Sequence, residues 1–147
     1  MADALTLQQF LPYRFANLAE KISVSLSRIY VDSFGINVAE WRIVATLGEF
    51  GELQAKQVAR HSNMDKVRVS RAVASLATKD LVERRPCPED SRGSLLRLST
   101  AGRHLYLQLV PQALRWEQAL LAPLSKEEQR LLSDLLDRLE GGLDAGN

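Results

Sequence analysis

The chain is 147 residues long, 46% hydrophobic and 25% charged, with a formal net charge of +1. That length suits one domain able to bury a useful core, and the single cysteine, Cys87, excludes an internal disulfide. No run approaches the length of a bilayer span and no leader-like segment opens the chain, so a cytoplasmic location is expected. His61 and His104 stand apart without partners at metal spacing, and no phosphate loop, acid–base pair or nucleophile elbow occurs. An enzyme, a metal and a cofactor are therefore not expected.

In chain order, the first element expected is a long helix, because Leu11, Phe15, Leu18, Ile22, Leu26 and Ile29 recur at steps of three and four. Its opening, Leu11-Pro12-Tyr13-Arg14-Phe15, sets an arginine between two aromatics. From Glu40 to Gly51, apolar residues at Trp41, Val44, Ala45 and Leu47 predict a second helix closed by glycine. Gln54 to His61 reads as a short third helix with Val58 and Ala59 inward. Ser62-Asn63-Met64 is too short for anything but a tight turn, and Asn63 is its residue best suited to a left-handed conformation. Asp65 then stands where an N-cap is wanted. In the helix that follows, Val69, Val73 and Leu76 fall on one side as an inward stripe. The opposite side carries Val67, Arg71, Ala74 and Thr78, flanked by Arg68, Ser70 and Ser75, with no acid beyond Asp65. A short helix, a tight turn and a longer helix with a basic outer face form a helix-turn-helix, whose second helix enters the major groove of DNA. There arginine forks onto guanine and hydroxyls reach bases or phosphates.

Downstream, the runs Leu81–Pro86 and Ser94–Leu98 flank a segment rich in Pro, Asp, Ser and Gly, which predicts a β-hairpin with a long loop over residues 87–93. A hairpin appended to a helix-turn-helix is a wing. Arg92 near its tip suits a narrow minor groove, and Asp90 is placed to hold it by a charge-assisted hydrogen bond. Cys87 lies beside Arg84 and Arg85, and an inert thiol is expected there rather than a redox sensor.

The remainder is helical by pattern. Leu105, Leu109, Trp116 and Leu120 share a face interrupted by Pro111, which should kink or distort that helix. Ser125 with Glu128 reads as a capping box opening a last helix that carries Leu131, Leu132, Leu135, Leu136, Leu139 and Leu143. Such faces outrun the core of one protomer, and pairing with a twin chain is the simplest cover. Charge is segregated too: residues 54–104 carry +6 and the rest −5. A basic middle between acidic ends suits a DNA-binding lobe on a dimer base.

The segments DKVRVSRAV, LVERRP, PEDSR and LSTAGR, in this order and spacing, resemble the MarR family of winged helix-turn-helix regulators, strongly from Ile36 to Leu109. The fold class expected is mainly α with a small β wing: one domain over 1–147, with terminal dimerisation helices at 5–34 and 100–143 around a winged helix-turn-helix lobe at 36–99. The resemblance implies dimerisation through the terminal helices, DNA contact by the helix containing Lys66 to Arg71, and minor-groove entry by Arg92. The DNA-contacting set is then Gln54, Lys56, Lys66, Val67, Arg68, Ser70, Arg71, Ser75, Asp90 and Arg92. The expected partner is a palindromic operator in double-stranded DNA, bound by a homodimer acting as a repressor. The resemblance also implies an effector, a small aromatic acid or phenolic, bound between dimer base and lobe, for which Tyr13, Arg14, Trp41 and Arg42 are the candidates. Three positions depart from the family. Val67 replaces a small hydroxyl residue or proline, favouring a thymine methyl contact, while Asn63 and Asp80 stand where glycine is common. Two alternatives stay open: a winged-helix module that binds protein and has lost DNA binding, and an activator using the same DNA contacts.

Overall fold

The computed structural model describes residues 3–146, and for residues 90–92 the backbone only. Two compact units are present, one ending at Gln112 and the other beginning at Ala113.

In the first unit, helix α1 spans Leu11–Phe34, with proline in its first turn, where the missing N–H costs nothing. It ends at Gly35, whose φ of 66° and ψ of 27° form a left-handed cap. Helix α2 spans Val38–Phe50. The side chain of Asn37 accepts from the Glu40 N–H at 2.8 Å, and Glu40 accepts from the Asn37 N–H at 3.0 Å, a reciprocal cap that starts α2 two residues before the expected Glu40. Helix α3 spans Ala55–Ser62 and ends at Asn63, with φ 54° and ψ 46°. Helix α4 spans Lys66–Thr78, and the Asp65 carboxylate accepts from the Arg68 N–H at 2.8 Å. Asn63 and Asp80 are the non-glycine residues at positive φ among those described.

The wing differs from expectation in two ways. Strand β2 spans Val82–Cys87 and β3 spans Asp90–Leu98, so the hairpin turn is two residues, Pro88 and Glu89, rather than a long loop. Composition marked residues 87–93 as loop, but backbone pairing continues with Cys87 opposite Asp90, after a register break beyond Pro86. A two-residue strand β1, Leu53–Gln54, also pairs with the other edge of β3, giving the order β1-β3-β2. Pro86 therefore lies on an edge strand, where a missing N–H is tolerated.

The core gathers Ile43, Val44 and Leu47 of α2, Val58 of α3, Val69, Val73 and Leu76 of α4, and Leu96 of β3, all 4% exposed or less. Helix α5 spans Thr100–Leu121 with Pro111 inside it, and contributes Leu105 and Leu109. At its start, a Cβ on Gly102 would stand 2.0 Å from the Leu81 carbonyl oxygen, so only glycine allows this approach of helix to wing.

In the second unit, helix α6 spans Lys126–Ala145 and carries no buried residue. The expected capping box is present: Ser125 Oγ accepts from the Glu128 N–H at 3.1 Å, and Glu128 accepts from the Ser125 N–H at 2.9 Å. No described helix is long and apolar enough to cross a membrane.

Candidate nucleic-acid interface

The stripe expected to pack inward does so: Val69, Ala72, Val73 and Leu76 are buried, which turns Val67, Ser70, Arg71 and Ala74 to solvent. Val67 is 61% exposed at the first turn of α4. Together with Asp65, Lys66, Arg68 and Arg71 it lines a shallow concavity at the helix start. Neither Arg68 nor Arg71 forms an ion pair with a described residue. Lys56 lies in the first turn of α3 and Lys66 in that of α4, where unpaired backbone N–H groups and the helix dipole add to the cationic field. Both lysines, with Gln54, Ser70 and Arg84, line a cleft of about 300 Å³ bounded by α3, α4 and the wing.

Two members of the expected DNA-contacting set are otherwise engaged. Ser75 is half-buried, and its Oγ donates to Glu40 Oε2 at 3.0 Å. It belongs to the seam with α2 and not to the outer face, a correction to the sequence expectation. A position on the flank of a helix takes its side from the packing angle of the neighbouring helix, which periodicity does not reveal. Gln54 keeps its place in the cleft, but its Nε2 donates to Cys87 Sγ at 3.3 Å. The side chains of Asp90 and Arg92 lie outside the described residues, so the expected pairing at the wing is not addressed. The wing's visible ion pairs are Arg85 with Glu52 and Arg97 with Glu83. The Arg85 guanidinium hydrogen-bonds to the Glu52 carboxylate and holds it below its usual value.

The four candidate effector residues do not share one cavity. Tyr13 and Arg14 line an open groove of about 410 Å³ built by the start of α1 and the residues before it. Arg42 lines a different groove of about 320 Å³ with Val38, Arg68 and α1 residues from Ala16 to Ser27. Trp41 is half-buried and stacks on Tyr30, with ring centroids 5.4 Å apart and planes 18° from parallel. The distance of Trp41 from Tyr13 has a simple cause. Tyr13 and Tyr30 stand 17 residues apart on one helix, about 25 Å at the helical rise, and Trp41 is held at the Tyr30 end.

Comparison with known proteins bears on this arrangement. A model described as the MarR family matches residues 34–93. The uncharacterized HTH-type transcriptional regulator YdgJ of Bacillus subtilis (strain 168) is 31% identical over 110 residues, which are 75% of this chain and 67% of YdgJ. The crystal structure of a MarR/EmrR family transcriptional regulator from Acinetobacter sp. ADP1 superposes with a TM-score of 0.86 at 28% identity, over 96% of this chain and 99% of that one. The chain belongs to the MarR family. It is thus a helix-turn-helix transcriptional regulator with the winged-helix fold. Sco3205, a MarR family regulator from Streptomyces coelicolor whose crystal structure is in complex with DNA, shares the fold at 24% identity and a TM-score of 0.83, over 97% of this chain and 92% of its own.

Sequence reasoning missed two residues of this MarR-family protein that the structure brings forward. Tyr30 is 2% exposed, and burial raises its phenol pKa while nearby Arg42 opposes the shift. Its signal was the four-residue step that runs Ile22, Leu26, Tyr30 and Phe34. Glu40 is 1% exposed, and its carboxylate is bonded by Asn37, Ser75 and Lys79. The Asn-x-x-Glu spacing signalled its cap. Nothing local signalled Lys79.

Proposed function

We propose that this regulator is a cytoplasmic homodimer that binds an inverted-repeat operator in double-stranded DNA and represses transcription from it. One observation carries the reading: Arg68, Ser70 and Arg71 stand exposed on α4, free of ion pairs with described residues, and Lys66 and Lys56 occupy the first turns of α4 and α3. Forked guanidiniums on a rigid helix suit guanine edges, and lysines at helix N-termini suit phosphates. Exposed Val67 supplies an apolar contact for a thymine methyl. The DNA complex of Sco3205, which has the same fold, supports a nucleic-acid partner. The exposed apolar faces of α1 (Leu11, Phe15, Leu18) and of α6 (Leu131, Leu135, Leu139) support pairing with a second copy. Binding-site selection from random duplex DNA tests the reading. It should return an inverted repeat with half-sites roughly 10 base pairs apart, centre to centre. Recovery of no palindromic motif at low salt would defeat it.

The reading extends to an effector, an aromatic acid whose carboxylate forks onto Arg42 in the groove that Arg42 shares with Arg68. Such a ligand releases DNA only if it binds the released arrangement better than the bound one. Thermal-shift screening of aromatic acids, followed by operator release, tests this. A stabilising acid whose effect survived Arg42→Ala in full would remove Arg42 from the site.

A further inference from the structure

We propose that Glu40 and Lys79 form a latch that fixes the angle between α1 and α4, and so positions the arginines of α4 relative to the helix on which a dimer would be built. The inference rests on the DNA reading above only for its consequence, not for the latch itself.

Every proton of the Lys79 ammonium is committed. It donates to Glu40 Oε1 at 3.0 Å, to Glu40 Oε2 at 2.9 Å and to the Gly35 carbonyl at 2.8 Å. Gly35 is the left-handed residue that closes α1, and Lys79 itself closes α4. One cation therefore lies where the negative poles of two helices converge, the placement that helix dipoles favour. The third member is Glu40, in the first turn of α2. Its buried carboxylate accepts four hydrogen bonds, from the Asn37 N–H, from Ser75 Oγ and twice from Lys79. No described buried side-chain N or O atom lacks a partner, so the site is fully satisfied.

A buried carboxylate is an expensive way to hold two helices together. Apolar residues of similar size often serve stability as well or better. Apolar contact, however, tolerates sliding, whereas a bidentate carboxylate–ammonium pair with a third bond to a fixed carbonyl defines a direction. Gly35 adds to this. Its φ of 66° is one that glycine adopts without strain. The bend is tied to α1 by the Gly35 N–H on the Val31 carbonyl and the Ile36 N–H on the Tyr30 carbonyl, so the carbonyl gripped by Lys79 belongs to a hydrogen-bonded corner. Glu40 and Lys79 are accordingly positioning residues. They lie at the opposite end of α4 from Val67 and touch none of the proposed DNA contacts except through the helix.

Two measurements on the full-length chain test the latch, with Cys87→Ser as the labelling background. First, spin labels at Asp32 on α1 and Ala74 on α4 report the angle, using labelled chain diluted in excess unlabelled chain. Labels at Arg60 on α3 and Ala74 serve as a control pair. The α1–α4 distance distribution should be narrow in the parent and in K79R, broad in K79M and E40Q, and the control pair should stay narrow in all four. An unchanged α1–α4 distribution in K79M overturns the proposal. So does equal broadening of the control pair, because that is general loosening. Second, affinity is measured for the selected operator with its half-site spacing changed by insertions or deletions. The parent and K79R should discriminate among spacings by roughly tenfold or more, and K79M should largely lose that discrimination. Affinity that falls in K79M by the same factor at every spacing counts against the latch. If the parent selects no operator, the DNA reading fails, while the distance measurement still decides the latch.

Discussion

At the scale of single residues, the structure separates side chains that sequence grouped together. Arg68 and Arg71 remain outward on α4, whereas Ser75, expected beside them, bonds to buried Glu40. The two kinds of residue should fail differently. Arg71→Ala or Arg68→Ala should cost specific affinity on the order of 1–3 kcal/mol per lost base contact, while Lys66→Ala should weaken all duplexes alike and flatten the salt slope. Competition titrations against specific and random duplexes at several salt concentrations read both effects. Ser75→Ala should instead lower folding stability by about 1 kcal/mol, the ordinary value of a lost hydrogen bond, without changing which bases are preferred. Urea denaturation paired with the same titrations checks this; a changed base preference would return Ser75 to the interface. The contrast shows what was legible. The inward stripe of Val69, Val73 and Leu76 follows from helical period alone. The choice between two flanks, and the identity of Lys79 as the partner of Glu40 across 39 residues, depends on how helices meet.

Elements were legible where their signals are short-range. The Asp65 cap, the left-handed Asn63 and the Ser125–Glu128 box each involve residues no more than three apart, and all three stand in the structure. Strand β1 was not legible, since its definition is a pairing with Leu95 and Leu96, and the two-residue hairpin turn was hidden by loop-like composition. The last helix offers a pH test. The Ser125 N–H and hydroxyl hold the Glu128 carboxyl below its usual value. A carboxyl so depressed adds stability that is complete above the unfolded value and is lost as pH falls through the folded one. Amide exchange in the first turn of α6 should therefore quicken as pH drops through the carboxylate range, below about 4, once intrinsic rates are divided out. Glu128→Gln should remove that dependence. A parent helix whose protection followed the variant across this range would show that the carboxylate does not hold the turn.

For the molecule as a whole, the near-neutral total conceals the distribution that matters. The segment over residues 54–104 carries +6 and the remainder −5, so the proposed DNA-binding lobe is cationic while the ends are anionic. The same ends expose leucines: Leu135 is 41% and Leu139 52% exposed on α6. Leu135→Glu combined with Leu139→Glu should yield a monomer by sedimentation, with operator affinity reduced to that of a single lobe, because two half-sites are no longer gripped together. The helix-turn-helix lobe should stay folded by near-native thermal unfolding. A variant that remained dimeric would move the interface away from α6. The leucine pattern is what raises the expectation of such an interface, because leucines in excess of a core need cover. It did not give the pairing geometry, which is a property of two chains.

The buried thiol of the wing has a practical consequence. Cys87, the last residue of β2, is 6% exposed, and the chain has no other cysteine. Alkylation by a thiol reagent therefore waits for the strand to lift, and its rate becomes a clock for local opening. Run with and without operator, that clock should slow when DNA braces the hairpin. A rate indifferent to bound DNA would mean that the wing is not gripped at its Cys87 end.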